Sequence, residues 1–527
     1  MTTRNPGMTT DTPDTQTYDV EAVNAAGRRQ PLYAPRKKIF PKRANGRFRK
    51  FKWLVMLITL TIYYVTPWLR WDRGPFAPDQ AVLVDLANRR FYFFFIEIWP
   101  QEFYYVAGML VMAGIGLFLV TSTVGRAWCG YACPQTVWVV LFLAVERFIE
   151  GDRNARIKLD AGKWTADKLA KRTAKHTIWL VIGILTGGAW IFYFADAPTL
   201  LVDVVTLKAP LVAYATIALL TATTYTFGGL LREQVCTYMC PWPRIQGAML
   251  DEHSLTVTYN DWRGEPRSRH AKRAAAEGKP VGDCVDCNAC VVVCPMGIDI
   301  RDGQQLECIT CALCIDACDD VMTRLGKEQG LISYATLSDY NRNMALATGS
   351  GKVVQPSRVR NPVTGKLVDA IKRTNWRSVI HPRTIVYLVG WIAIGLAMVT
   401  ALALRTPLSL NVLHDRNPLY VELRDGSVRN GYDVKVLNMA PEMREVELRL
   451  DGLPGSTISL VDGGSETAGS LTFTLEPDKV LPVRLYVRVS PEALPASQMP
   501  FQIVVSDEAA GITRSVESTF EVPEKRK

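Results

Sequence analysis

The twelve cysteines fall into two kinds of pattern. Both suit soft metals and electron transfer better than acid–base chemistry. Cys284, Cys287, Cys290 and Cys294 form C-x-x-C-x-x-C-x-x-x-C-P, and Cys308, Cys311, Cys314 and Cys318 repeat that spacing without the final proline. In two-cluster bacterial ferredoxins, three cysteines of one run wrap a cubane and the fourth ligates the other cluster. The pattern therefore assigns Cys284, Cys287, Cys290 and Cys318 to one 4Fe-4S cluster. Cys308, Cys311, Cys314 and Cys294 take the second. A zinc ribbon would use two C-x-x-C pairs, and disulfides do not persist in a reducing compartment. Asp319 stands where a proline would follow Cys318, so the second loop is expected to turn differently.

The other four cysteines form two matched C-x-x-x-C-P motifs. Cys129 and Cys133 lie in GRAWCGYACPQT, and Cys236 and Cys240 in REQVCTYMCPWPR. Arg126 and Arg232 precede them at similar offsets. On a helix, residues four apart share a face, so each pair can present two sulfurs to one ion. Pro134 and Pro241 stop or restart the helix after the second sulfur. The repetition reads as an internal duplication whose four thiolates converge at a membrane surface. Soft thiolates suit Cu(I), zinc or an iron–sulfur cluster, and spacing does not choose among them. The five histidines form no i,i+4 pair, and only His253, thirteen residues after Cys240, merits a test as a ligand.

The elements that must position these sulfurs follow from hydropathy. The chain has 527 residues, 48% of them hydrophobic, and a net charge of +10. Such averages exclude a disordered or disulfide-stapled chain, but they hide segregation. Five stretches approach the roughly 20 apolar residues that a bilayer crossing needs: Trp53–Leu69, Phe103–Val124, Thr177–Ala195, Ala209–Leu230 and Thr384–Leu404. Thr136–Phe148 is apolar but too short to span, and it reads as an interfacial or partly inserted helix. Lys and Arg collect before the first stretch and between Arg153 and Lys175. The positive-inside rule then keeps the N-terminus and section 231–383 in the cytoplasm and puts the chain after about 405 outside. The polar first thirty residues read as disordered, with no cleavable signal peptide.

The excess positive charge fixes topology and needs no nucleic acid, for which no binding module is visible. The basic run Arg263–Lys279 reads as a solvated linker able to steer an acidic electron donor. From 405 onward there is no Cys or Trp, and short alternating runs such as Tyr432–Leu437 and Val483–Val489 recur. About seven such strands argue for an immunoglobulin-like β-sandwich. The expected fold is a five-span α-helical membrane protein with a cytoplasmic two-cluster ferredoxin-like domain and that sandwich. Its expected parts are a basic cytoplasmic tail (1–50), a four-span domain (51–243), a cytoplasmic domain (244–383) with its ferredoxin-like region at about 275–325, a fifth span (384–404) and the sandwich (405–527).

The order of these parts, with GRAWCGYACPQT and REQVCTYMCPWPRIQGAMLDEHSL, resembles the cytochrome c oxidase accessory proteins of the CcoG, FixG and RdxA type from about residue 35 to 522. That resemblance implies a protein of the bacterial inner membrane that helps assemble a cbb-type oxidase. It implies reduction of Cu(II) to Cu(I), with copper at Cys129, Cys133, Cys236 and Cys240, and delivery to a copper-exporting P-type ATPase. It places the sandwich in the periplasm. Electrons would come from a cytoplasmic donor or a quinol. Two other functions fit the same residues. One is a quinol-linked polyferredoxin of a respiratory chain, with a third cluster on the four membrane-edge cysteines. The other is a non-redox copper chaperone or scaffold. One-electron chemistry needs no general acid or base, and no residue is assigned such a role.

Overall fold

The computed structural model describes residues 38–348, 359–360, 367–368, 374–440, 442–461, 469–495 and 497–523. Most of the expected N-terminal tail therefore lies outside the described residues. Two compact units form: residues through Leu69 with Ala81–Ala397, and Arg70–Gln80 with Met398–Lys527.

In the first unit, helix α1 (Arg47–Val65) opens with a basic turn and a half and turns apolar at Trp53. A small antiparallel sheet follows, made of β1 (Val82–Asp85), β2 (Arg90–Phe93) and β3 (Ile96–Ile98). Then come α2 (Tyr104–Val124), α3 (Pro134–Glu150), α4 (Ala166–Ile191), α5 (Leu211–Thr224) and α6 (Trp242–Met249). Strand β4 (Leu255–Tyr259), the short α7 (Ala289–Val293), α8 (Leu313–Arg324) and β5 (Ile332–Thr336) frame the ferredoxin-type loops. Strands β4 and β5 pair antiparallel, Leu255 opposite Thr336 and Tyr259 opposite Ile332. A long apolar helix, α9 (Pro382–Ala403), ends the helical part.

Among the described residues, four helices are long and apolar enough to cross a membrane: Pro100–Val124, Ala166–Ile191, Leu211–Leu231 and Pro382–Ala403. The chain is a membrane protein on this evidence. The expected first span is not among the four. It is helical, but helix α1 begins earlier, so Arg47, Arg49, Lys50 and Lys52 occupy the helix start, and the α-helix ends before Pro67.

Helix α3 covers the segment read as interfacial, and it is a packed element. Phe142 is fully buried and stacks on Trp179 of α4 at 5.3 Å. Its charged end is neutralised. Glu146 receives Arg156 at 2.9 Å, Arg232 at 3.0 Å and Lys175 at 3.5 Å, and Glu150 receives Lys175 at 2.9 Å.

The second unit is a two-sheet β structure. Strands β6 (Leu408–His414), β7 (Val421–Glu422), β8 (Val428–Asn438), β9 (Arg444–Asp451), β10 (Ser456–Leu460), β11 (Ser470–Leu475), β12 (Lys479–Val489), β13 (Met499–Asp507) and β14 (Ile512–Phe520) follow in order. One sheet runs β10-β12-β8-β6, with β7 on β8, and the other runs β11-β9-β13-β14. Alternate residues such as Val434, Val436, Leu485, Val487, Ile503 and Val505 fill the core between them, as the period of two requires. Tyr432 crosses the core and donates to the Thr519 carbonyl at 2.8 Å.

Candidate iron–sulfur and thiol sites

The two ferredoxin-type runs fold alike. Asp286 and Asn288 flank Cys287 with φ of 50° and 57°, and Thr310 and Ala312 flank Cys311 with φ of 55° and 58°. Left-handed backbone at Thr and Ala costs energy and marks a constrained functional loop. Alternating conformations of this kind turn successive N–H groups inward as an anion-binding nest. The N–H groups of Ala289 and Thr310 face the sulfurs of Cys287 and Cys308, and those of Met296 and Ile298 face Cys294.

The exits of the loops differ, as the missing proline led one to expect. Pro295 has no N–H, and α7 ends at Val293 with Cys294 as its cap. Asp319 lets α8 continue to Arg324 and accepts the Gly330 N–H at 2.9 Å.

Two cavities lie among these cysteines. One is lined by Cys284, Cys287, Cys290 and Cys318, with Arg301 and Tyr259. The other is lined by Cys294, Cys308, Cys311 and Cys314, with Cys290 also reaching it. Burial pushes the Cys294 thiol up to about 12 and that of Cys308 up to about 11, and neighbouring sulfurs push the same way. Cys290, Cys314 and Cys318 are raised for the same first reason. Crowded, buried thiols release their protons when a multiply charged metal centre takes the protons' place. The donor set and the inward N–H groups thus fit cubane iron–sulfur clusters.

Arg301 braces the first loop from behind. It donates to Asp286 at 2.7 Å, Asn288 at 2.7 Å and Asp299 at 2.6 Å.

The two C-x-x-x-C-P motifs are π-helical turns, at Trp128–Ala132 and Val235–Met239, where an α-helix was expected. Each is closed by a bond from the second cysteine's N–H: Cys133 to the Trp128 carbonyl at 2.9 Å and Cys240 to that of Val235 at 2.8 Å. Such turns are rare and cluster at functional sites. Pro134 then begins α3 at its first position, where a missing N–H does no harm.

The fold brings the two pairs together. Burial pushes Cys129 up to about 12, and the sulfurs of Cys133, Cys236 and Cys240 add to it. Cys236 is pushed up to about 11 by burial and by Cys133 and Cys240. Cys129 donates to Gln246 Oε1 at 2.9 Å, and Gln246 in turn donates to Thr121 at 3.2 Å. Gln246 is fully buried, and its role was not legible in the motif. Among the described residues, no three His, Cys, Asp or Glu side chains gather tightly around one metal-sized point. This holds for the ferredoxin-type cysteines too, whose ligands must spread around a cubane.

The matched arginines diverge. Arg126 donates to the Leu306 carbonyl in the second ferredoxin-type loop, whereas Arg232 joins Glu146. His253 lies against His381 at 5.1 Å, and His381 meets Asp251 at 2.8 Å. Most described residues of the basic run, from Arg267 to Lys279, are exposed, while Arg263 at its start pairs with Asp283 at 2.6 Å beside Cys284.

Thiol motif and ferredoxin-type loop are in direct contact. Tyr131, between Cys129 and Cys133, donates to the Cys311 carbonyl at 3.1 Å. A Cβ at Gly130 would lie 2.6 Å from the Ile309 carbonyl oxygen and 3.2 Å from the Cys311 backbone. Cys129 and Cys311 belong to one buried cluster, and Cys236, Cys294 and Cys308 pack against it.

This arrangement of thiol pair, double iron–sulfur motif and β-sandwich has relatives along most of its length. Nitrogen fixation protein FixG of Rhizobium meliloti (strain 1021) is 65% identical over 506 residues, covering 96% of each chain. The chain belongs to the FixG/RdxA family. Protein RdxB of Cereibacter sphaeroides is 52% identical over 95% of this chain and 96% of its own. Protein RdxA of the same organism is 51% identical over 89% and 92%. Residues 231–337 match the 4Fe-4S dicluster domain, residues 106–145 a 4Fe-4S binding domain, and residues 398–523 the Ig-like fold at the C-terminus of FixG. FixG-type chains of this kind carry iron–sulfur clusters, and the sandwich expected from strand pattern is their Ig-like domain.

Proposed function

We propose that this FixG-family chain is a membrane electron-transfer protein that reduces Cu(II) to Cu(I) during assembly of a cbb-type oxidase. The observation that carries this reading is the Tyr131–Cys311 contact, which seats a soft-metal thiol motif on an iron–sulfur loop without an intervening layer. In this reading Cys284, Cys287, Cys290 and Cys318 hold one 4Fe-4S cluster, and Cys294, Cys308, Cys311 and Cys314 hold the other. When bound, the clusters supply one-electron storage. The protein's own part is to exclude water around them, to aim backbone N–H groups at the sulfurs, and to offer Cys129, Cys133, Cys236 and Cys240 to copper as substrate. Cu(II) gains one electron and leaves as Cu(I), with the electron drawn from a quinol or a soluble cytoplasmic donor.

A copper-exporting P-type ATPase and oxidase assembly factors are the proposed recipients. A relative's name, nitrogen fixation protein, fits a setting in which a high-affinity oxidase is needed. The proposed topology has five spans, with the N-terminus and clusters cytoplasmic and the sandwich periplasmic. The Lys and Arg distribution supports it.

Purified protein whose clusters have been reduced with dithionite and separated from excess reductant should reduce Cu(II) under anaerobic conditions, and changing Cys236 and Cys240 to Ser should slow that reduction at least tenfold. An undiminished rate in that variant rejects the thiol site. A second reading, in which the four membrane-edge cysteines hold a third iron–sulfur cluster, is favoured by the 4Fe-4S binding-domain match over Cys129 and Cys133. Iron and acid-labile sulfide separate the two, at about eight irons per chain for two cubanes and more for a third cluster.

A further inference from the structure

Lys52 lies in the second turn of α1 and is only 3% exposed. Among the described residues it makes no hydrogen bond, ion pair or ring contact. Arg49, one turn earlier on the same side, is 8% exposed. Its guanidinium lies over the Trp53 ring at 5.1 Å, and its Nε is a buried donor without an acceptor. Both line a cavity together with Pro295, Met296, Ile309 and Leu313, from the segments that carry the second cysteine set.

A buried charge without a partner is strongly unfavourable, so these two need an anion. Glu233, itself buried, and Cys236 line the same cavity. Asp316 faces Arg49, but its two oxygens already accept the Phe48 and Arg49 backbone N–H groups at 3.2 Å and 2.7 Å. The sulfur of Cys311 acts on both residues, and that of Cys294 on Lys52. The remaining neighbours, Arg43 and Arg147, are cations themselves. The first cysteine set is built differently, because Arg301 there is already held by Asp286 and Asp299.

We propose that Arg49 and Lys52 are the counter-charges of the cluster held by Cys294, Cys308, Cys311 and Cys314, and that they raise its reduction potential above that of the other cluster. This rests on the cluster reading given above. A thiolate-bound cubane is anionic and gains one further negative charge when it accepts an electron, and local charge and burial set its potential. A buried cation that is not ion-paired favours the reduced form more than one held, as Arg301 is, by two carboxylates. The second set also lies against the thiol motif, so electrons settle on the side from which a metal at those thiols would draw them.

The test is a dithionite titration of the anaerobically purified full-length protein in detergent, followed by EPR. Wild type should show two one-electron waves. Lys52→Met should shift the higher wave downward, with at least a tenfold loss of reduced cluster at a fixed potential, ~59 mV for a one-electron couple. The lower wave should stay, and Lys52→Arg should restore the higher one. Arg49→Gln provides a second, independent variant should Lys52→Met lose iron. An unmoved higher wave in a variant with wild-type iron content, or a shift of the lower wave instead, overturns the proposal. A wild-type protein without two cluster signals would instead sink the cluster reading.

Discussion

Asp316 is the residue on which the second ferredoxin-type loop and helix α1 meet. It sits between Cys314 and Cys318, is 4% exposed, and caps the second and third N–H groups of α1. A cap of this kind contributes about 1–2 kcal/mol, so Asp316→Ala should lower the thermal midpoint of the purified protein and speed iron loss on warming. Equal midpoints would mean that water replaces the carboxylate. The thiols yield a pH prediction. Metals bind thiolates, and burial holds Cys129 near about 12 and Cys236 near about 11. These groups are protonated at neutral pH, so loading them releases protons, and affinity rises with pH. Competition with a Cu(I) chelator between pH 6 and 8 should show tighter binding at the alkaline end. The cysteines were legible because their spacing is local. Asp316, Gln246 and Lys52 were not, because each takes its meaning from a partner more than a hundred residues away.

At the scale of elements, the close fit of the first π-turn on the second ferredoxin-type loop leaves no room for a side chain at Gly130. Gly130→Ala should force the Ile309 carbonyl aside, at a cost of about 1–3 kcal/mol. It should reduce iron content and copper reduction together. Gly114→Ala, whose Cβ would meet nothing within 4 Å, should leave both unchanged. Gly125 is constrained in a second way: its φ is +61°, and a Cβ there would meet the Leu255 carbonyl. The apolar helices α2, α4, α5 and α9 were legible from hydropathy alone. Helix α3 was legible as a helix too short to span, but its packing was not. The three cations that neutralise Glu146 come from separate segments, so no window of sequence contains the network. The π-turns were read as α-helix because a C-x-x-x-C spacing suits both.

For the whole molecule, the distribution of cysteine follows the proposed sidedness. All twelve lie between Cys129 and Cys318, and the Ig-like unit from 405 onward has none. Thiols and clusters belong in a reducing compartment. A reporter enzyme that is active only outside the cytoplasm should therefore be active when fused after Lys527 and silent when fused after Thr348. Activity at both points would invert or break the five-span topology. The β-sandwich was legible as a class from alternation and turn residues. Its strand order was not, because β11 reaches its partner β9 across an intervening strand of the other sheet.

The cap on α1 also imposes an order of events during synthesis. Arg49 leaves the ribosome 267 residues before the carboxylate that receives its N–H. The Lys42 N–H likewise waits for the Val292 carbonyl. The first helix can be translated and delivered early, but its start stays unfinished until the cysteine loops exist and have folded. Completion of the N-terminal end is thereby tied to a folded second cysteine loop, and a chain interrupted before Leu313 lacks the carboxylate that caps α1.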